Sequence, residues 1–274
     1  MDSQYIDIHS HLNDPRFDAD LDETITRMRA GGVSSIVVGT DRAMSERAIV
    51  LAEQYSDLWA TIGLHPTDNH KEEFDAAAYT KMASHPRVVA IGECGLDYYW
   101  PTEKPRGDLD AEKLRQRDIF ERQITVAKNA DKPLMIHGRP SKGTMDAYLD
   151  ILAILHDHPG IRGNVHFFVG NTDIAKQFLD LGFTMSFTGV LTFTHDYDDV
   201  VRFIPMESLM SETDAPYVAP APHRGKRNEP LFVRETVAAI ARIRGISEEK
   251  LRPQLVVNAA RVFALREQSR LVPK

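Results

Sequence analysis

Two kinds of hydrophobic pattern take turns along nearly the whole chain. Short runs rich in apolar and β-branched residues are each followed by a longer run in which apolar residues recur at helical spacing. We predict eight strands, at residues 5–8, 34–39, 58–63, 88–92, 133–137, 163–167, 183–187 and 208–212. We predict helices at residues 22–30, 42–56, 112–130, 143–157, 171–181, 230–244 and from Ser247 to about Leu265. Repeated βα units form a parallel sheet, and eight of them favour a closed (β/α)8 TIM barrel over a six-stranded open sheet.

The length of 274 residues fits one barrel, so we expect a single domain over residues 1–274, although length alone also allows two small domains. A composition of 42% hydrophobic and 27% charged residues is that of an ordinary globular protein with a large core. The polar, proline-containing stretch from Trp100 to Lys113 is expected to be a loop, either functional or a plain surface insertion.

Charge and cysteine content bear on compartment and partners. The chain opens MDSQYIDIH, which is no signal peptide, and no apolar run of about 18 residues could span a bilayer. The single cysteine, Cys94, fits a reducing compartment and a small buried side chain, so we expect a cytoplasmic protein without membrane contact. A net charge of −7 gives no global attraction for nucleic acid, so a polyanionic substrate would need a local basic patch or bound metal.

Histidines and carboxylates gather at the ends of the predicted strands, where the active site of a βα barrel lies. The side chains at these positions are His9, His11, His65, Glu93, His137, His166 and Asp214. Any one of these histidines, taken alone, could be a core residue whose imidazole is hydrogen-bonded to neighbouring groups. Five of the eleven histidines fall at these few positions, however, and chance explains that placement poorly.

These residue types predict a metal site. Ser10 separates His9 from His11, and alternation along a strand points both imidazoles to the same side. Imidazoles mixed with carboxylates suit Zn, Mn, Fe or Co, whereas an all-oxygen site would favour Mg or Ca. The candidate ligands are His9, His11, Glu93, His137, His166 and Asp214. Since six ligands exceed the need of one tetrahedral ion, we predict two divalent ions whose identity, Mg, Mn or Zn, stays open.

Two carboxylates are predicted to be catalytic. Glu93 follows an apolar run, and bridging two cations would remove the cost of burying it; a buried ion pair is the alternative. Asp214 could bind metal and accept a proton from the attacking water, while Glu212 would have a supporting role in holding a neighbouring side chain. The chain lacks the motifs of serine hydrolases, P-loop kinases and dinucleotide-dependent dehydrogenases, which leaves a metal-activated water as the nucleophile.

The segments that carry these residues resemble those of the TatD-type deoxyribonucleases, metal-dependent hydrolases of the amidohydrolase superfamily. The resemblance runs in order through IDIHSHLND, IGLHP, IGECGLDYYW, RDIFERQITVAKNADKP, MIHGRP, HFFVGN, SETDAPYVAPAPHRGKRNEP and NAARVFAL. It implies a barrel, dependence on divalent metal and hydrolysis of DNA phosphodiester bonds, commonly from the 3′ end.

The resemblance also implies roles for particular residues. One metal site would comprise His9, His11, Glu93 and Asp214, and the other Glu93, His137 and His166. His65, Arg139 and the segment around Arg224 would lie near the substrate phosphate. Pro140, Phe167 and Val169 depart from the residues that are common in the family, which bears on the shape of the pocket. Many superfamily members carry a carboxylated lysine near strand four, and Glu93 in that place fits the TatD branch.

Our leading hypothesis is a metal-dependent 3′–5′ exonuclease that acts on single-stranded DNA. The same machinery acting on a mischarged aminoacyl-tRNA, a lactone or a small amide is the alternative, and a barrel that binds nucleic acid or protein without turnover is a third. Tyr98, Tyr99 and Trp100 are predicted to stack on unpaired bases, or else to pack at the base of their loop. The basic residues near Arg224, with Lys226 and Arg227, would bind phosphate or form a solvated loop. The oligomeric state stays open, and a monomer is compatible with the sequence.

Overall fold

Eight parallel strands pair in chain order, each with the next, in a computed structural model that describes residues 3–67, 72–103 and 108–265. The strands are β1 (Tyr5–Ser10), β2 (Val33–Val38), β3 (Leu58–Ile62), β4 (Val88–Asp97), β5 (Leu134–Arg139), β6 (Gly163–Val165), β7 (Thr184–Phe187) and β8 (Leu209–Ser211). A parallel bridge between Ser10 and Ala215 joins the end of β1 to the segment after β8. The predicted (β/α)8 TIM barrel is confirmed.

Helices alternate with the strands. They are α1 (Leu21–Ala30), α2 (Arg42–Gln54), α3 (Ala76–Ala83), α4 (Tyr99–Glu103), α5 (Leu109–Asn129), α6 (Asp146–His156), α7 (Thr172–Asp180), α8 (Asp198–Phe203), α9 (Val233–Arg244) and α10 (Glu248–Phe263). Several begin where a side chain accepts a hydrogen bond from the first turn: Asp41 from the N–H of Met44, and Asn171 from that of Ile174. Ser247 precedes α10, as predicted, although its side chain makes no capping hydrogen bond.

The structure corrects several predicted boundaries. Strand four does not stop at residue 92: after an irregularity between Ile91 and Cys94 it pairs again with β5 as far as Asp97, so Glu93 lies inside the strand rather than after it. The expected loop from Trp100 to Lys113 is largely helical, because α4 and the first turn of α5 occupy it; residues 104–107 lie outside the described residues. Helices α3, α4 and α8 were not predicted.

Apolar side chains from strands and helices form the core. The larger cluster includes Val37, Leu58, Phe120 and Phe178, and a smaller one joins strand residues such as Ile36 to Phe263 of α10. Cys94 is fully buried, as expected of a small apolar side chain. None of the helices within residues 3–67, 72–103 and 108–265 combines the length and the apolar composition of a membrane-spanning segment.

Candidate metal centre

The carboxyl ends of the strands bring the predicted ligands together. His9, Glu93 and His137 lie within β1, β4 and β5, while His11, His65, His166 and Asp214 follow β1, β3, β6 and β8. Backbone hydrogen bonds link these strand ends: the N–H of Asp214 donates to the carbonyl of His9, and that of His166 to the carbonyl of Ile136. Residues that are far apart in sequence therefore converge on one buried cluster.

Glu93 is at the centre of this cluster, and its two carboxylate oxygens face different histidines. Its Oε2 lies 3.4 Å from Nε2 of His9 and 3.8 Å from Nε2 of His11. Its Oε1 lies 2.7 Å from Nδ1 of His137 and 2.8 Å from Nε2 of His166. Glu93 therefore contacts two separate groups of histidine nitrogens at once.

Asp214 completes the group around His9 and His11. Its Oδ1 lies 3.4 Å from Nε2 of His11 and 3.9 Å from Nε2 of His9. Asp214 has a left-handed backbone conformation with φ of 56°, which an aspartate tolerates better than most residues, and the N–H of Tyr217 donates to its carbonyl at 2.8 Å. Its side chain is 13% exposed whereas that of His9 is 0% exposed, so solvent reaches this edge of the cluster.

His65 lies against the other half of the cluster. Its Nε2 is 3.5 Å from Oε1 of Glu93 and 3.3 Å from Nδ1 of His137. His65, Glu93 and His137 offer ligand atoms that lie within 4.8 Å of one another. The resemblance had implied a position near the substrate phosphate for His65, and the structure places it beside the candidate ligands themselves.

A second layer of acceptors faces the outward nitrogens of the histidines. Nδ1 of His11 lies 3.2 Å from the carbonyl oxygen of Val38, and Nε2 of His137 lies 3.1 Å from Oδ2 of Asp97. Metal-binding histidines usually donate their second N–H to such partners, which fixes the tautomer and the orientation of the ring. Sequence reasoning missed Asp97. The signal was present, because an extended strand places residues four positions apart, here Glu93 and Asp97, on the same face.

Glu212 serves two histidines at once. Its Oε2 lies 3.6 Å from Nδ1 of His166 and 3.9 Å from Nδ1 of His9, and the imidazoles of His9 and His166 stack with centroids 3.8 Å apart. Its Oε1 accepts a hydrogen bond from the backbone N–H of Phe167. This geometry favours protons on both Nδ1 atoms and leaves both Nε2 lone pairs directed at Glu93. Glu212, which was expected to hold a neighbouring side chain, thus faces the imidazoles of both His9 and His166.

Electrostatics within the cluster favour an ionised carboxylate among imidazoles. Burial by itself raises the pKa of Glu93, but the attraction of His166, His65 and His9 holds it well below its ordinary value. Burial lowers the pKa of His9, and the neighbouring His166 lowers it further. Burial opposes the charged form of His137 as well, yet its contacts with Asp97 and Glu93 raise its pKa to about 9.

The donor set fits divalent cations. Nε2 of His9 and Nε2 of His11 face each other at 3.2 Å, and two imidazole nitrogens share at most one proton. The Nε2 atoms of His9, His11 and His166 and both carboxylate oxygens of Glu93 converge on the same buried space. Lone pairs that converge in this way are costly to bury, and a cation that accepts several of them removes the cost. These donor atoms therefore suit a divalent cation.

The aromatic segment after β4 divides into buried and exposed rings. Tyr98 is 0% exposed and its hydroxyl donates to Asp150 at 2.7 Å, so the expectation that Tyr98 stacks on a base is wrong for this structure. Trp100 is 39% exposed. The guanidinium of Arg139 lies 4.1 Å from the ring centre of Tyr99 and 5.1 Å from that of Trp100. The structure thus brings Arg139 together with Tyr99 and Trp100, two of the three aromatic residues that were predicted to stack.

The basic loop after β8 is less uniform than its sequence indicates. Arg227 donates to both carboxylate oxygens of Asp20 at 2.7 Å and also contacts Glu229, so its charge is neutralised within the protein. Arg224 is exposed, donates to the carbonyl of Ala219 at 2.8 Å and lies 3.9 Å over the ring of Phe193. Lys226 is exposed. A phosphate contact from this loop therefore depends on Arg224 and Lys226 rather than on three cations.

Known proteins are similar to this chain in both fold and sequence. Residues 6–264 match the family model of TatD related DNase. The chain belongs to the TatD family of metal-dependent hydrolases. A Bacillus subtilis relative, the uncharacterized metal-dependent hydrolase YabD, is 37% identical over 94% of this chain and 98% of its own length. The 3′-5′ ssDNA/RNA exonuclease TatD of Klebsiella pneumoniae is 32% identical over 94% of this chain and 97% of its own.

A solved structure agrees with this assignment. The TatD homologue YJJV from Escherichia coli superposes with a TM-score of 0.82 at 28% identity, over 97% of this chain and all of the other. The expectation of a metal-dependent hydrolase on a TatD-type barrel is confirmed. In this member of the TatD family, two groups of histidines meet at Glu93, and Glu212 faces one histidine of each group.

Proposed function

We propose that this TatD-family hydrolase cleaves the phosphodiester bonds of single-stranded DNA from the 3′ end, with two divalent ions held by its strand-end residues. The observation that carries the proposal is the divided environment of Glu93, whose Oε2 faces His9 and His11 while its Oε1 faces His137 and His166. The relatives named as 3′-5′ ssDNA/RNA exonucleases support this choice of substrate.

The ligands divide into two sets that share Glu93. His9, His11 and Asp214 would hold one ion, and His137 and His166 the other. Zn, Mn and Mg remain the candidate metals, and the imidazole content favours the first two. When bound, such ions lower the pKa of water and withdraw charge from a phosphoryl oxygen.

The protein's own groups have separate tasks in this reaction. Asp214 is the carboxylate at the solvent edge of its group, and it would take the proton from the attacking water. His65, buried beside Glu93 and His137, would orient the scissile phosphate, and Arg139 and Arg224 would bind neighbouring phosphates. Phosphate contacts of this kind position a strand without reading its sequence.

The test is a substrate panel with a matched variant. Metal-reconstituted protein is incubated with 3′- and 5′-labelled single-stranded DNA and RNA, and with aminoacyl, lactone and amide compounds, while elemental analysis counts bound ions. We expect stepwise shortening of DNA from the 3′ end, about two ions per chain, and loss of both in Glu93→Gln. Glu46→Gln, the same change at an exposed site, should behave as the wild type. Turnover of a lactone or amide with DNA left intact, or full activity in a stringently chelated sample, would refute the proposal.

A further inference from the structure

Exposed aromatic rings are concentrated at one end of the barrel. Among the described residues, four of the Phe, Tyr and Trp side chains are well exposed: Trp100 at 39%, and Phe193, Phe203 and Tyr217 at 45% each. Three of them follow strands β4, β7 and β8, at the end that carries the metal centre. Phe203 is the last residue of α8, which leads back to the start of β8 at the opposite end. Single exposed apolar residues need no explanation, but three at one end of a barrel do.

Each of the three rings at the metal end lies beneath an arginine. The guanidinium of Arg224 is 3.9 Å from the ring centre of Phe193, and that of Arg16 is 4.2 Å from the ring centre of Tyr217. Arg139 covers Trp100 and its neighbour Tyr99. The two members of each pair come from segments that are separate in sequence, so the pairs are products of the fold and not of local sequence.

Two of the pairs adjoin opposite halves of the metal centre. The ring of Tyr217 meets that of His11 edge to face, with centroids 6.0 Å apart. On the other side, Arg139 follows His137 by two residues along β5, and the N–H of Trp100 donates to Asp97, whose other oxygen faces His137. A chain that crossed the centre from the His11 side to the His137 side would meet an aromatic ring at each end of its path.

We propose that these pairs form a stacking edge, comprising Trp100 with Arg139, Phe193 with Arg224 and Tyr217 with Arg16, that holds unpaired bases on either side of the reacting phosphate. The inference rests on the proposed function and specifies its substrate as a single-stranded nucleic acid. Both aromatic rings and guanidinium planes stack on bases, and only unpaired bases present their faces.

Charge supports this partner over an apolar one. The protein has a net charge of −7, which repels a polyanion overall, so binding requires focused positive charge. Within the described part of the chain, no carboxylate pairs with Arg139 or Arg224, whereas Arg227 and Arg27 are taken up by Asp20 and Glu229. Arg16 is held by Asp14, and its contribution is therefore the position of Tyr217 more than charge.

The test compares Phe193 and Tyr217, at the metal end, with the equally exposed Phe203 at the opposite end. Dissociation constants of a 5′-fluorescein-labelled 12-nucleotide single strand are measured by anisotropy in EDTA, which prevents turnover. Phe193→Ala and Tyr217→Ala should each weaken binding by about 5- to 150-fold, the effect of losing one stacked base. Phe203→Ala should stay within about twofold of wild type, as should the aromatic-retaining Phe193→Tyr and Tyr217→Phe.

A strand of the same length with abasic sugars separates stacking from phosphate contacts. We expect the alanine variants to bind the abasic strand as the wild type does, because it has no bases to lose. Equal losses on both strands, or no loss at Phe193 and Tyr217, would overturn the stacking edge while leaving the nuclease assignment intact. A wild-type protein that neither binds nor cleaves a base-bearing strand would instead overturn the proposed function and the edge with it.

Discussion

Glu212→Gln tests whether one carboxylate fixes the protonation of two candidate ligands. Glu212 is fully buried, its Oε2 faces Nδ1 of both His166 and His9, and its Oε1 accepts from the N–H of Phe167. The amide of glutamine has one oxygen and one NH2 group in nearly the same shape. Neither orientation of this amide reproduces what the carboxylate does.

With the NH2 group toward the imidazoles, the Nδ1 atoms must accept, so their protons move to Nε2 and the Nε2 lone pairs are no longer available to a metal. With the oxygen toward the imidazoles, the NH2 group faces the N–H of Phe167, and two donors are left opposed in a buried site. An unsatisfied buried donor costs about 1–3 kcal/mol. Loss of an outer partner of a metal-binding histidine typically lowers metal affinity by about 10- to 100-fold, or about 1.4–2.7 kcal/mol.

The assay is competition between metal-free protein and a chelating dye for Zn or Mn. We expect the dissociation constant of Glu212→Gln to rise by about 10- to 100-fold. Glu207→Gln provides the matched control, since Glu207 is exposed at the other end of β8. Thermal unfolding of the metal-free proteins shows whether the buried site still folds. Metal affinity of Glu212→Gln within about twofold of wild type, in a folded protein, would refute the argument.

Two further predictions concern the loops at the metal end. Arg224→Ala should weaken DNA binding regardless of sequence and leave metal content unchanged. Because one phosphate contact is lost, the slope of log binding constant against log salt concentration should become shallower by about 0.7. Arg202→Ala, which removes an exposed arginine elsewhere, is the control, and an unchanged slope in Arg224→Ala would count against a phosphate contact by Arg224. Tyr98→Phe should lower the free energy of unfolding by about 0.5–1.5 kcal/mol through the lost hydrogen bond to Asp150, without changing DNA affinity. A large loss of DNA affinity in Tyr98→Phe would contradict this prediction and indicate that Tyr98 contributes to DNA binding.

Local signals carried most of the sequence prediction. The eight strands were found because apolar runs mark them, and the candidate ligands because their residue types recur where such runs end. The sequence could not predict which side chains pair across long separations in the chain. The charge of Arg227 is cancelled by Asp20, 207 positions away, so its loop was taken for more basic than it is. Helix α3 (AAAYTKMA) was missed because its eight residues, mostly alanines and polar side chains, give only a weak periodic pattern.

The end of β4 explains why Asp97 was missed as a hydrogen-bond acceptor and why Tyr98 was wrongly expected to stack on a base. Hydrogen bonding to β5 extends the strand through Asp97, and this pairing is a tertiary feature that the apolar run at 88–92 does not encode. Alternation along the extension turns Asp97 to the same face as Glu93 and sends Tyr98 to the opposite face, into the core. Trp100 then emerges on α4, whose first turn is tied to Asp97 by the N–H of Trp100. Because the same carboxylate faces His137, the metal centre and the stacking edge share one buried side chain. Their geometry is therefore coupled, and a base held beside Trp100 would depend for its position on the strand that carries Glu93.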